Sequence, residues 1–339
     1  MTATIPSEIK QAMYGFMMSH TLFVGDELGI FDYLAQGKAN NLSELAKLAD
    51  VNPDALQRLL LAAVSIGLIE SQNGEYNIPI HLQPFLAKNS AEYCGDSFCH
   101  FREVSVRTFL NLKEALKENR PQWQSIFDNF QEESPFTELY NDPKRLENFL
   151  DSMWGLGYAP AQELVQKLPL NRYDVLVDVG GGSGSFAIAA LENYKNLKAI
   201  VFDLPKVSQY LETKSRQHQV AERINFKGGD FFQDELPPGD VYALGYILSD
   251  WNREDGTKLL KKIYNSLPLG GAIIILEKLF DEEKNGPVET AMMNLAMLPE
   301  TWGQHYSGSE YISWLEKVGF KNCKVIRSSG EKHLVLGIK

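Results

Sequence analysis

The chain has only three cysteines, Cys94, Cys99 and Cys323, and no two of them stand at a C-x-x-C spacing. That excludes a disulfide framework and a cysteine-built metal centre, and the three read as buried free thiols with no metal expected. Long apolar runs are also missing. None approaches the roughly 18–20 residues of a membrane span, and the N-terminal stretch lacks a basic-then-apolar leader, so no membrane partner is expected and the cytoplasm is the default location. Positive charge is scarce: 33 Lys and Arg face 44 Asp and Glu, a net charge of −11. A protein of that sign does not have nucleic acid as its main partner. Internal repeats and low-complexity segments are absent too.

What is present is a globular composition, 44% hydrophobic and 23% charged over 339 residues. That length exceeds the roughly 250–300 residues at which a single core stops growing, so two domains are expected. The most informative stretch is Val175-Leu-Val-Asp-Val-Gly-Gly-Gly-Ser-Gly184, followed by the helical-looking Ser185–Leu191. A β-rich run enters a glycine cluster, whose backbone can lie against a ligand, and then a helix whose free N–H groups point at it. The dinucleotide fingerprint G-x-G-x-x-G fails here, because its third glycine falls on Ser185 whereas the chain places Gly184. With Asp178 ahead of the glycines, the form is D-x-G-x-G-x-G. That form suits S-adenosylmethionine, which has no pyrophosphate to cradle.

Strands alternate with helices after Gly184, implying a covered parallel sheet. Lys198–Asp203 ends in an acid about 20 residues after the glycines, where a ribose diol is gripped. Arg223–Lys227 leads into Gly228-Gly-Asp-Phe-Phe232; Asp230 can accept from an adenine amino group and Phe231 can cover the ring. Val241–Leu248, Ala272–Leu276, Asn322–Arg327 and His333–Ile338 complete the set, the last two joined as a hairpin through Ser328-Ser-Gly-Glu331.

Ahead of the sheet, Ser7–Leu34 is apolar nearly all round, with Met13, Phe16, Met17, Leu22 and Phe23, and points to a partner subunit. Leu42–Leu48, Asp54–Ile66 and a hairpin on Asn73-Gly74 read as a winged helix-turn-helix, with Ser43 able to cap and Pro53 in a first turn. A recognition helix needs cations; this one offers only Arg58 beside Asp54, and the wing carries Glu70 and Glu75. It reads as a packing module. A DNA-binding regulator that senses the cofactor is the alternative of a different class. Residues 91–148 are helical and aromatic, and Leu146–Leu168 forms a further helix that leads into the glycine strand.

Val177–Gly184, Phe202-Asp-Leu-Pro205, Gly229-Asp-Phe-Phe232, Ile247-Leu-Ser-Asp-Trp251 and Glu277 occur in an order that resembles the S-adenosylmethionine-dependent O-methyltransferases of the acetylserotonin and caffeic acid type. The likeness spans nearly the whole chain. It implies an α/β fold, a Rossmann-like seven-stranded methyltransferase sheet over 169–339, a winged-helix dimerisation domain over 1–105, and a helical linker roofing the pocket over 106–168. It further implies a homodimer through the N-terminal helices and a small aromatic acceptor. Asp178, Gly180, Gly182, Asp203, Leu204, Asp230, Phe231 and Trp251 are then the cofactor residues.

Two departures bear on the chemistry. Where the family has a histidine before Asp-Trp as general base, this chain has Ser249; where it has an orienting glutamate, this chain has His305. A serine hydroxyl is too weak a base, and such catalysis typically supplies ~10²–10⁴-fold. His305 is therefore a candidate substitute base, oriented by Glu277, Asp250 or Ser249, since an imidazole titrates near ~6.5. An acceptor that needs no strong base, with methylation at carbon, nitrogen or carboxylate, is the alternative, as is a non-methylating reaction. Met153, Trp154, Met293, Met297, Trp302 and Tyr306 are the candidate acceptor-pocket lining.

Overall fold

The computed structural model of the chain describes residues 4–90, 92–125, 127 and 135–339. It divides into two compact units, Met1–Glu103 and Val104–Lys339. Residues 126 and 128–134, inside the stretch read as a pocket roof, lie outside the described residues.

In the first unit α1 (Ser7–Glu27) precedes α2 (Leu42–Leu48) and α3 (Pro53–Ser65). Asn41, not Ser43, caps α2: its side chain accepts from the Glu44 N–H at 3.1 Å, which meets one of the unpaired first-turn donors. Asn52 does the same for α3, with Pro53 in its first turn. Strands β1 (Glu70–Gln72) and β2 (Glu75–Asn77) pair antiparallel through Asn73 (φ 53°) and Gly74 (φ 84°), both left-handed as a type I′ turn requires. Leu45, Leu56, Leu60, Ile69 and Tyr76 close the core beneath. On α1, by contrast, Met13, Phe16 and Met17 are 51%, 61% and 52% exposed.

The second unit is built on one mixed sheet ordered β5-β4-β3-β6-β7-β10-β9. Its strands are β3 (Val175–Val179), β4 (Lys198–Asp203), β5 (Ile224–Gly228), β6 (Val241–Gly245), β7 (Ala272–Phe280), β9 (Lys321–Ile326) and β10 (Lys332–Ile338). A two-residue β8 (Tyr306–Ser307) pairs with β7 off this path. Strands β3 to β7 run parallel, and β10 returns antiparallel to β7 and β9. Two strands differ from the sequence expectation by more than one residue. β6 stops at Gly245 rather than Leu248, because Tyr246 turns left-handed (φ 56°) and breaks the ladder. β7 continues to Phe280 because β10 and β8 pair with its far end.

One face of the sheet carries α4 (Pro143–Val165) and α5 (Ser185–Asn193), burying Leu164, Leu176, Ile188 and Leu276; beyond α5 lies α6 (Ser208–Gln217). The other carries α7 (Arg253–Ser266) and α9 (Gly308–Val318), burying Leu260, Ile275 and Trp314. A fully buried aliphatic side chain contributes about 1.5–3 kcal/mol, so the central strands form a rigid platform. The chain moves from β3 outward to β4 and β5, then returns to place β6 and β7 on the other side. A crevice therefore opens between the carboxyl ends of β3 and β6, where open α/β sheets bind ligands. α8 (Val288–Glu300) lies near that end and packs against β7. Among the described residues none of the three cysteines is in a disulfide, and each is partly rather than fully buried.

Candidate active site

On the β3 side, Gly180 (φ 66°), Gly182 (φ 55°) and Gly184 (φ 85°) take left-handed conformations as the chain turns into α5. The space is also spoken for. A Cβ on Gly180 would stand 2.4 Å from Ile247 Cδ1, and one on Gly184 2.5 Å from Leu211 Cδ1. Asp203, at the end of β4, accepts the Gly182 N–H at 2.8 Å and the Leu204 N–H at 2.7 Å. Burial pushes its carboxyl up to about 6 in spite of those bonds. Asp178 lies beneath the loop, 2% exposed, and accepts the Ala187 N–H of α5 at 3.2 Å. Burial pushes it up to about 7, opposed by the Ala187 bond and by the Lys332 ammonium.

Phe231 comes within 3.5 Å of the Gly180 Cβ position and meets Trp251 edge-on, centroids 6.1 Å apart. Together with Phe232, Asp255, Lys258 and Lys262 they line an open cleft of about 350 Å³. Asp230 spends one oxygen on its own turn, accepting the Phe232 N–H at 2.7 Å. Leu204 is partly buried beside Val207.

Across the crevice, Ser249, Glu277 and His305 come together from three separate segments, 2%, 0% and 3% exposed. The Ser249 N–H donates to Glu277 Oε1 at 3.2 Å, and His305 Nδ1 faces Glu277 Oε2 at 3.8 Å. That oxygen and that nitrogen are both buried without a hydrogen-bond partner. Burial pushes Glu277 up to about 7, opposed by the Ser249 hydroxyl and amide and by Lys332. Burial and the Lys278 ammonium push His305 down to about 4, so its imidazole is neutral at pH 7. Asp250 is held well above the carboxylate range by burial first, then by Glu277 and Glu300.

The segment bearing His305 is locked in place. Gly303 passes so close that a Cβ would stand 2.0 Å from the Ser249 carbonyl oxygen, and the Trp302 N–H donates to the Asp250 carbonyl at 3.2 Å. Asn294 of α8 accepts the His305 main-chain N–H at 2.8 Å. In an extended strand successive side chains face opposite ways. With His305 turned to Glu277, Tyr306 turns to the core: it is 5% exposed, edge-on to Tyr311 and Trp314, and so does not line the pocket as the sequence suggested.

The other pocket candidates also divide. Met153 sits one helical turn from both Leu150, which packs on Gly182, and Gly157, which packs on Ser185. Trp154 is on the next face, stacked on Tyr158 at 4.7 Å with the Lys214 ammonium over its ring, away from the Met153 side. Met293 and Met297 are on α8, and Met297 is 8% exposed, while Trp302 is 44% exposed. Sequence reasoning missed Tyr140, Asn294, Gly303 and Lys332. Tyr140 is buried where both Asp203 and Asp250 act on its hydroxyl. Lys332 was legible only as a lysine at the mouth of an apolar strand.

Asp203 stands where a ribose diol is gripped, and the left-handed glycines let a ligand approach the main chain. An O-methyltransferase domain model matches residues 109–321, and an O-methyltransferase dimerisation model matches residues 10–78. The chain belongs to the O-methyltransferase family, whose enzymes use S-adenosylmethionine. Among curated relatives, the S-adenosyl-L-methionine-dependent methyl transferase PigF of Serratia sp. (strain ATCC 39006) is 30% identical, covering 100% of this chain and 97% of its own length. Human acetylserotonin O-methyltransferase is 31% identical over 91% of this chain and 90% of its own length. The crystal structure of the human N-acetylserotonin enzyme in complex with SAM superposes with a TM-score of 0.91 at 28% identity, covering 100% of this chain and 99% of that one.

Proposed function

We propose that this chain, as a homodimer, methylates a hydroxyl oxygen of a small aromatic acceptor, with His305 as the proton acceptor. The observation that carries the reading is the pairing of an acid-lined glycine cradle with a buried Glu277–His305 couple across one crevice. When bound, S-adenosylmethionine supplies an electrophilic methyl group on a sulfonium. Asp203 would hold its ribose, Asp230 and Phe231 its adenine with Trp251 nearby, and Gly180 and Gly182 its amino-acid end. Asp178 supports the loop from below by engaging α5.

Ser249 has no basicity to offer, so its amide and hydroxyl fix Glu277 instead. Glu277 Oε2 faces Nδ1 of His305, which favours the tautomer with hydrogen on Nδ1, and in this reading Nε2 is the atom that takes the acceptor's hydroxyl proton. Burial and the neighbouring Glu277 and Glu300 carboxyl groups favour the neutral form of Asp250. Met153, Met293 and Met297 are the lining that suits a flat apolar ring. Relatives whose names specify a naphthoate, acetylserotonin or a tetracenomycin polyketide support an aromatic acceptor. The exposed Met13, Phe16 and Met17 of α1 supply the apolar face for a second copy.

The test is incubation with methyl-labelled S-adenosylmethionine and a panel of phenols, hydroxyindoles, enols, amines and aryl carboxylates, reading the atom that is labelled. Label on a phenolic or hydroxyindole oxygen is expected. Transfer only to carbon, nitrogen or carboxylate, or none at all with cofactor bound, overturns the hydroxyl assignment.

A further inference from the structure

The acids of the cradle account for the nucleoside and the sulfonium, but the amino-acid end of S-adenosylmethionine also carries a carboxylate, which needs a cation. Among the described residues two lysines are nearly buried, Lys278 at 7% and Lys332 at 4%. Lys278 is ion-paired with Glu331. The Lys332 ammonium makes no hydrogen bond or ion pair among the described residues; it lies over the Tyr246 ring, 4.0 Å from the centroid.

The side chain starts on β10 and reaches over the ends of β7 and β6. Its Nζ comes within 3.7 Å of the Cβ position of Gly245 and 3.8 Å of that of Gly157. Both flanking positions lack a side chain, so the ammonium has room beside it. The same Gly157 position is 2.6 Å from Ser185 Oγ, the first residue of the nine-residue helix α5. Two independent anion-binding features therefore meet at one point: the N-terminus of the helix that follows the glycine loop, and a buried, unpaired ammonium. Tyr246 holds its ring over Nζ from a left-handed backbone conformation, which few non-glycine residues adopt without a compensating constraint.

We propose that Lys332 receives the α-carboxylate of the cofactor, working with the first turn of α5. This rests on the cofactor reading above. The charged and titratable groups around the ammonium are Glu277 and Lys278 of β7, Asp178 of β3 and Tyr246 after β6. Two carboxyl groups near one ammonium describe a counter-ion equally well, so the test must separate charge balance from ligand binding.

Titration calorimetry with S-adenosylhomocysteine and with its decarboxylated analogue, S-adenosyl-3-thiopropylamine, does so. Lys332→Met is expected to weaken S-adenosylhomocysteine about 10–100-fold, the range for a charged hydrogen bond, while moving the decarboxylated analogue less than about threefold; Lys332→Arg retains most of the affinity. Equal weakening of both ligands, or of neither, overturns the assignment. Should Lys332→Met fail to fold, the wild type decides. Burial pushes Lys332 down to about 8, so the preference for the carboxylate-bearing ligand must shrink between pH 7 and 9, and a constant preference overturns it. A wild type that binds neither ligand sinks the cofactor reading itself. One that binds both alike sinks only the role of Lys332.

Discussion

The two walls of the crevice are made in different ways. The glycine wall is a single continuous segment, Asp178 to Ala187, answered by one residue, Asp203, and the two carboxylates accept main-chain N–H groups of Gly182 in the turn, Ala187 in α5 and Leu204 after β4. The opposite wall is gathered from β7, the turn after β6 and the segment before β8, and it keeps two buried polar atoms unpaired, Glu277 Oε2 and His305 Nδ1. A buried polar group left without a partner costs about 1–3 kcal/mol. Satisfied groups hold a shape, and unsatisfied ones wait for a proton or a ligand. The first wall is thus a cradle, and the second is where proton transfer is placed.

Substitutions should separate the walls, and the largest effect is expected on the second. His305→Gln lowers turnover by ~10²–10⁴-fold, the usual share of a general base, with S-adenosylhomocysteine affinity unchanged within about twofold. Steady-state kinetics beside calorimetry check both halves, and unaltered turnover removes His305 from the chemistry. Asp203→Asn does the reverse: cofactor affinity falls about 10–100-fold while saturated turnover changes little. A loss confined to turnover would erase the distinction between the walls.

Gly303→Ala probes how the second wall is held. The new Cβ meets main chain rather than a flexible side chain, so a loss of about 1–3 kcal/mol in stability is expected, readable as a drop of several degrees in thermal melting. Smaller is the response of the cradle to pH. Asp203, pushed up to about 6, must lose its proton to grip a diol or face a cation, so cofactor affinity rises roughly tenfold between pH 5 and 7, against a flat profile in Asp203→Asn.

The smallest effect is on the stability of the ligand-free protein. Asp178 and Glu277, both pushed up to about 7, keep protons that the unfolded chain releases near its ordinary carboxylate pKa. Their contribution is fully present below that range and is lost as pH rises through about 7. His305 and His333, pushed down to about 4, act oppositely: their contribution is present above about 6.5 and is lost as pH falls toward 4. The two trends oppose each other between pH 4 and 6.5; from there to pH 7.5 the carboxyls dominate, because Lys332, pushed down to about 8, is only beginning to lose its proton. Melting temperature should therefore fall between pH 6.5 and 7.5, and a rise there would contradict the two buried acids.

Sequence alone settled what depends on neighbours in the chain. The glycine spacing, Asp178, the acid ending β4, the alternation of strands and helices and the Asn73-Gly74 turn are local patterns, and local backbone chemistry fixes them. What it left open depends on residues far apart being pressed together. Only the packing of the 301–305 segment on Ser249, made possible by Gly303, sets His305 against Glu277 and turns Tyr306 to the core. Only the return of β10 beside β7 carries Lys332 across to a glycine loop some 150 positions earlier in the chain. The cradle was written in consecutive residues, whereas the opposite wall exists only where burial and close approach bring distant side chains into one low-dielectric space.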